Sequence, residues 1–193
     1  MRPLLWAAGI GAVVAVIYLS RSSASNLAPW RKAMLARADE HVKAGTPYQW
    51  GGGHAGVDSW GLDCSGLIID CAKVAGFELE MNSNAIWHNL AHVDTPEPGD
   101  VALFGTSDKA VHIMLVEEWI ASEGRAACIG AQNGDVDVTS VEVAESRNAK
   151  VMRVPDHRAD KRFLGFVSLA DIAEGRRAGT AGLGSIWSVK RFG

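Results

Sequence analysis

The chain has 193 residues and a formal net charge of −3 at pH 7, with 48% hydrophobic and 21% charged residues. This length provides for one ordinary domain with a short extension at each end. The slightly acidic balance excludes the basic face that a nucleic-acid-binding protein requires, so we expect no nucleic-acid partner.

An uncharged apolar run covers residues 4–20. Its length is close to the lower limit of ~17 residues for a helix that spans a bilayer. We favour a retained transmembrane helix over a signal peptide cleaved near Ala24, and the lack of a polar face makes a buried core helix a poorer explanation. Arg21 and the basic residues after it favour a cytoplasmic C-terminal side by the positive-inside rule.

Two helices and the loop between them are predicted in the next part of the chain. Proline suits the first turn of a helix over Pro29–Ala44, apolar residues recur within it at helical spacing, and Gly45 favours its end. A glycine-rich loop at 51–53 follows. The second helix is predicted from Cys64 to Ala75.

Strands are predicted in the second half of the chain from short runs of β-branched and apolar residues. They cover residues 101–104, 111–119, 126–131, 136–143, 151–154 and 162–167. Residues 174–193 are rich in glycine and arginine and are predicted to form a flexible extension or a docking peptide. The expected organisation is therefore a membrane anchor or signal segment at 1–24, a domain at 25–173 and a tail at 174–193.

Cys64 is the cysteine whose context indicates chemistry. It stands where a loop ends and a helix begins, so free backbone N–H groups and the helix dipole favour its thiolate and provide part of an oxyanion hole. Gly66 leaves space for a substrate chain beside the sulfur. Cys71 and Cys128 are expected to be structural, and three cysteines without C-x-x-C spacing predict neither a disulfide framework nor a zinc site.

A cysteine nucleophile needs a base that takes its proton. The sequence has six histidines, and His112 opens the apolar strand at 112–116. A polar residue at that position is costly to bury without a partner, and strand ends are where catalytic side chains project over a cleft. His112 is therefore the candidate base.

Four motifs follow one another in order and resemble those of the NlpC/P60 cysteine peptidases. They are YQWGG at 48–52, LDCSGL at 62–67, PGDVALF at 98–104 and HI at 112–113. The resemblance runs from about Pro29 to Val154. It implies a papain-like α+β fold, in which the helix that carries the nucleophile packs on a central antiparallel sheet, and cleavage of bacterial wall peptides without a metal or other cofactor.

The resemblance also implies roles for individual residues. Cys64 matches the nucleophile and His112 the general base, and the bond cut in such stem peptides typically joins D-glutamate to a diamino acid. Tyr48 matches the tyrosine that lines the site and polarises the scissile carbonyl. Asp63 and Ser65 match positions that bind the free amine of the substrate. Structural explanations stay open, because Tyr48 fits core packing and the other two fit helix capping.

The third catalytic position departs from the family pattern. Where the family usually has a histidine that orients the base, this sequence has Gly130. Strand alternation sets Cys128, Gly130 and Gln132 on one face, so Gln132 is the candidate partner of His112, with Asn133 as the alternative if a bulge shifts the register.

Two other functions stay open at this stage. The departure at the third position is compatible with a catalytically decayed wall-binding or structural protein, and the nucleophile is compatible with an acyltransferase or another amidase. We expect a membrane-anchored protein whose catalytic domain faces the cell wall, in a bacterial envelope or a phage virion. The positive-inside rule favours the opposite orientation, so both orientations stay open at this stage.

Overall fold

The computed structural model describes residues 26–133 and 138–175. Its helices are α1 (Pro29–Ala44), α2 (Cys64–Val74), α3 (Ser83–Asn89), α4 (Val141–Arg147) and α5 (Ala170–Ala173), with a 3-10 turn at His157–Ala159. Its strands are β1 (Ala91–Val93), β2 (Val101–Thr106), β3 (Lys109–Ile120), β4 (Arg125–Gln132), β5 (Lys150–Val154) and β6 (Phe163–Ser168). They form a six-stranded antiparallel sheet in the order β1-β6-β2-β3-β4-β5.

Local signals in the sequence explain the bounds of the two long helices. Proline occupies the first turn of α1, and Gly45 ends the helix in the left-handed conformation at φ 63°. Asp63 caps α2, because its side chain accepts a hydrogen bond from the backbone N–H of Gly66. The predicted bounds of α1 are confirmed, and α2 ends one residue before the predicted Ala75.

Both faces of the sheet are buried. Helices α1 and α2 cover one face, where alternate strand residues form the main core: Leu103, Ile113, Leu115, Ile129, Ala131, Val151 and Val167. The intervening residues form a second cluster on the opposite face: Ala102, Phe104, Met114, Val116, Cys128 and Phe166. His112 shares the second face by strand alternation, and its ring lies 5.7 Å from the ring of Phe104.

A buried arginine fixes the turn that precedes β2. The guanidinium of Arg31, on α1, donates at 2.9 Å to the carbonyl of Pro98 and at 2.9 Å to the carboxylate of Asp100. Gly99 lies against the Arg31 side chain at φ 96°. The PGD segment of the third motif therefore anchors the first helix to the sheet, and it does so through a buried ion pair whose loss would leave an uncompensated charge.

A bulge lies beside His112. Phe104 pairs with His112, whereas Gly105 pairs with Ala110, so Val111 has no partner opposite it and is 46% exposed. The strand begins at Lys109, two residues before the position predicted for its start. Bulges change the direction in which neighbouring side chains point, and this one stands directly before the candidate base.

The predicted fold class is confirmed in its main part, as helices packed on an antiparallel sheet. The strand predicted at 136–143 is wrong over its described residues, because 138–140 are not in a strand and Ser140 caps helix α4 through the N–H of Val143. Helix α3 and strand β1 were not predicted. The predicted transmembrane helix and the tail beyond Gly175 lie outside the described residues.

The part of the chain that the structure describes contains no helix long and apolar enough to cross a membrane.

Candidate active site

The glycine loop holds the N-terminal turn of α2 in place. The carbonyl oxygen of Gly52 lies 1.8 Å from the position that a Cβ on Gly66 would occupy, so the loop leaves no room for a side chain at position 66. Gly53, at φ 86°, packs on the same glycine, with a Cβ position 2.9 Å from the Gly66 Cα. The expectation that Gly66 leaves room for a substrate is therefore wrong, because the loop backbone occupies that room.

Cys64 is the first residue of α2 and is 9% exposed. Backbone hydrogen bonds from Ile113 and Ser65 reach its sulfur and favour the thiolate. Burial opposes them and is the larger effect, and with the negative charge of Asp63 it raises the pKa of Cys64 to about 11. The expectation that the helix end favours the thiolate is thus correct in sign but outweighed, and the resting residue is a thiol.

His112 stands next to the residue that contacts the sulfur, and Gln132 holds its ring. The Nε2 atoms of Gln132 and His112 lie 3.1 Å apart, and the register of β3 and β4, continued from Leu115–Ile129, sets the two residues opposite each other. The same Gln132 nitrogen lies 3.1 Å from the sulfur of Met114. The structure therefore brings together the candidate base and the residue predicted to orient it.

The glycine at position 130 makes room for this contact. A Cβ on Gly130 would lie 2.6 Å from Cγ of Met114 and 3.0 Å from Nε2 of Gln132. The side chains of Met114 and Gln132 thus occupy the space that a side chain at position 130 would need. Asn133, the alternative partner, follows the last residue of β4.

Asp160 is a charged neighbour of His112 that the sequence analysis missed. Hydrogen bonds from Arg162 lower the pKa of Asp160, and the charge of His112 adds to the effect. Asp160 and Gln132 line the same cavity of about 560 Å³. Asp160 lies 47 positions after Ile113, the last residue of the motifs, so only the fold reveals that Asp160 and His112 are close.

Tyr48 lies at the site and is also part of the core, with 5% of its surface exposed. Its backbone N–H donates to the carbonyl of Ala149 at 2.9 Å, and it forms a parallel bridge with Leu62. Burial raises the pKa of the Tyr48 hydroxyl, and the charges of Cys64 and Asp63 raise it further. The phenol is therefore neutral and close to both of these residues.

The Asp63 carboxylate accepts from four protein donors. The backbone N–H groups of Gly51 and Gly66 donate at 3.0 and 2.6 Å, and the hydroxyl of Ser65 donates at 3.1 Å. The fourth partner is Nε2 of His54, at 3.1 Å from Asp63 Oδ1 and 3.1 Å from Ser65 Oγ. The helix-capping explanation of Asp63 is thus correct, and His54 is a residue of this site that the sequence analysis did not find.

Among the described residues, no three histidine, cysteine, aspartate or glutamate side chains are placed to hold a metal ion together.

The profile of the NlpC/P60 family matches residues 45–152 of this chain. This range holds the loop, the helix and the strands that carry Cys64, His112 and Gln132. The chain belongs to the NlpC/P60 family.

Solved structures of the family share the fold. An NlpC/P60 family protein from Bacillus cereus ATCC 10987 is 19% identical, with a TM-score of 0.52 over 72% of this chain and 39% of its own. An NLP/P60 protein similar to a lipoprotein, from Staphylococcus aureus subsp. aureus Mu50, is 15% identical, with a TM-score of 0.51 over 72% of this chain and 40% of its own. The NlpC/P60 domain of the peptidoglycan hydrolase SagA is 21% identical, with a TM-score of 0.48 over 72% of this chain and 98% of that one.

The chain thus spans about two fifths of the length of the first two of these proteins. No curated protein matches it.

Proposed function

We propose that this protein is a cysteine peptidase that hydrolyses an amide bond in peptidoglycan stem peptides through an acyl-enzyme on Cys64, with His112 as the base. One observation carries the proposal. The Cys64 sulfur, in the first turn of α2, is hydrogen-bonded by the backbone of Ile113, the residue that follows His112, and Gln132 holds Nε2 of that histidine. A nucleophile, a base and a group that orients the base are the parts that acyl transfer requires.

The first step is attack by sulfur on the scissile carbonyl. Because burial raises the pKa of Cys64 to about 11, the thiol must lose its proton as it attacks. His112 takes that proton, and the carbonyl oxygen becomes an oxyanion. His112 then returns the proton to the leaving amine, which departs and leaves a thioester on Cys64.

The second step is hydrolysis of the thioester. His112 takes a proton from a water molecule, the water oxygen attacks the thioester carbonyl, and the sulfur leaves as the thiol with the proton that His112 returns. The backbone N–H groups at the start of α2 and the neutral hydroxyl of Tyr48 are the donors available to the oxyanion in both steps. Tyr48 acts as a donor because burial keeps its proton in place.

Gln132 decides which ring nitrogen serves as the base. Its amide occupies the Nε2 side of His112, so Nδ1 is the nitrogen left to face the nucleophile. An amide presents either its NH₂ or its oxygen to the ring. With the oxygen turned to the ring, it accepts the N–H of Nε2 and leaves Nδ1 unprotonated, as a base must be.

The family supports the substrate class, and the apolar run at 4–20 supports the location. We propose that the bond joins D-glutamate to a diamino acid, that Asp63 and Ser65 line the side of the cleft next to Cys64, and that residues 4–20 hold the protein at a membrane with the domain facing the wall.

Mass spectrometry of purified peptidoglycan fragments tests the proposal, using the full chain. The wild type is expected to produce new cleaved stem peptides and Cys64→Ala none. Cys128→Ala is the matched control, since Cys128 is wholly buried and lies four residues before Gln132 on β4, so its loss should leave the products unchanged. Intact fragments with both the wild type and Cys64→Ala would contradict the proposal and favour a wall-binding protein.

A further inference from the structure

His54 occupies the polar position beside the nucleophile. Its Nε2 lies 3.1 Å from both Asp63 Oδ1 and Ser65 Oγ, the two side chains that flank Cys64 in the sequence. Asp63 is 11% exposed at its side chain and His54 28%. The imidazole is therefore the more accessible partner and forms the outer wall of this pair.

The Asp63 carboxylate has little capacity left for a ligand. Three of its four hydrogen bonds come from donors fixed in the glycine loop and the first turn of α2, namely Gly51, Ser65 and Gly66. A substrate ammonium carries three donors and a positive charge that must be compensated in a buried site. To reach this carboxylate it would have to displace His54 and break two hydrogen bonds.

His54 also lines a cavity whose lining does not include Asp63, Cys64 or Ser65. It has a volume of about 610 Å³ and runs along the face of α2 marked by Ile69 and Lys73, which follow Ser65 at intervals of four residues. Glu78 and Glu80 line its far wall. A ligand that extends past His54 thus meets polar and charged side chains, with space for several further atoms.

We propose that His54 closes the position next to Cys64 to a substrate ammonium, so that the protein prefers stem peptides whose N-terminal amine is acylated, with the acyl group extending past His54 into the cavity along α2. An acylated amine has no positive charge and one N–H instead of three, so it does not need the carboxylate that His54 already occupies. Because the acylated amine belongs to a stem peptide still joined to glycan, this inference names the substrate of the proposed function and rests on it.

Two synthetic probes test this inference: L-Ala-γ-D-Glu-L-Lys with a free N-terminal amine, and the same peptide N-acetylated. Titration calorimetry measures their binding to the full-chain Cys64→Ala variant. We expect the acetylated peptide to bind about tenfold more tightly, a difference of the size that one or two hydrogen bonds produce. Adding His54→Ala should shift the ratio of the two affinities by about tenfold toward the free amine.

Matched variants make the result specific. His54→Gln keeps an N–H donor and should keep the preference. The exposed His88, whose Nε2 lies 3.1 Å from the carbonyl of Asp108, is the control, and His88→Ala should not change the preference. A preference for the free amine in the Cys64→Ala protein, an unchanged ratio after His54→Ala, or no binding of either peptide would overturn the inference. If His54→Ala does not fold, the ratio measured with Cys64→Ala alone decides.

Cleavage by the wild type separates this inference from the proposed function. If both peptides are cleaved and the free amine is favoured, the inference fails and the function stands. If neither is cleaved but the acetylated peptide binds more tightly, the function fails and the inference about the site stands.

Discussion

The dipeptide Asp-Cys occurs twice along helix α2 and its N-cap, at 63–64 and at 70–71, and the two copies have different surroundings. Asp63 and Asp70 each contact a histidine, His54 at 3.1 Å and His41 at 2.9 Å. Asp63 otherwise accepts mainly from backbone N–H groups, whereas Asp70 is bound by the guanidinium of Arg37 at 2.6 Å.

The two cysteines differ in the same way. Cys64 is at the end of the helix, with its sulfur against the backbone of β3, and Cys71 is wholly buried two turns further on. Burial raises the pKa of both thiols, but backbone hydrogen bonds lower that of Cys64 alone. The same two residues thus lie against strand backbone at the helix end, where we propose that they serve chemistry, and in the buried core at its middle, where they serve packing.

The largest expected effect is the difference in activity between substitutions of the two cysteines. Cys64→Ala should lower the rate of stem-peptide cleavage by at least about a thousandfold, as removal of a nucleophile does. Cys71→Ala should retain cleavage, with a loss of about 1 kcal/mol in the free energy of unfolding from the cavity it creates. Product formation and urea denaturation measure the two effects, and equal losses of activity would contradict the assignment.

Alkylation by iodoacetamide distinguishes Cys64 from the other two cysteines by their reactivity. Because the pKa of Cys64 is raised to about 11, its thiolate fraction, and with it the rate, should rise about tenfold per pH unit from pH 7 to 10. Cys71 and Cys128 are both 0% exposed and should react only when the protein unfolds. Peptide mapping after modification identifies the site, and modification of all three at one rate would contradict the prediction.

We propose that His112 serves as base for Cys64 and not for Cys71, and a substitution of Gln132 tests this proposal. Gln132→Ala should lower kcat by about tenfold and leave KM nearly unchanged, because a neutral amide orients the ring without compensating its charge. It should also shift the acid limb of the pH–rate profile, which a purely structural role would not do. Asn133→Ala serves as the control, and a larger loss in that variant would make Asn133 the orienting residue.

The smallest effect concerns the second dipeptide. The hydrogen bond from His41, and then the one from Arg37, lower the pKa of Asp70 from its usual 3.8 to about 2, against the effect of burial. A lowered pKa contributes stability above pH 3.8 that is lost as the pH falls toward 2. Asp70→Asn should therefore cost about 1–2 kcal/mol at pH 7, allowing for solvent screening, and much less at pH 2.

Urea denaturation at the two pH values measures the Asp70 effect. Cleavage by the folded Asp70→Asn protein should be unchanged, since this carboxylate binds helix α1 to α2 rather than a substrate. A loss that is the same at both pH values would contradict the assignment of the lowered pKa to Asp70.

Much of the fold could be predicted because local signals and the tertiary structure agree. Pro29 and Gly45 set the bounds of α1, and apolar runs identified β2, β3 and β4. The failure at 141–147 has a physical cause. Val141, Glu142 and Val143 alternate like a strand, and only the cap from Ser140 and the left-handed Asn148 enclose a helix there.

The candidate site was predictable where the order of the motifs or the alternation along a strand indicated a residue. The motifs pointed to Cys64 and His112, and alternation along β4 pointed to Gln132, which the structure places 3.1 Å from the histidine. His54 and Asp160 could not be found in this way. Each is a loop residue, His54 in a glycine-rich stretch and Asp160 in a charged one, and its place beside the site depends on how the loop folds back.

The glycine at position 130 restricts which substitutions are possible there. Because Met114 is buried and Gln132 holds His112, a side chain introduced at Gly130 alone meets both of them. A histidine restored at 130 would have to arrive together with a smaller residue at 114 or a change at 132. Positions 114, 130 and 132 are therefore coupled. The effects of single substitutions at these positions will not add up to the effect of the combined substitution.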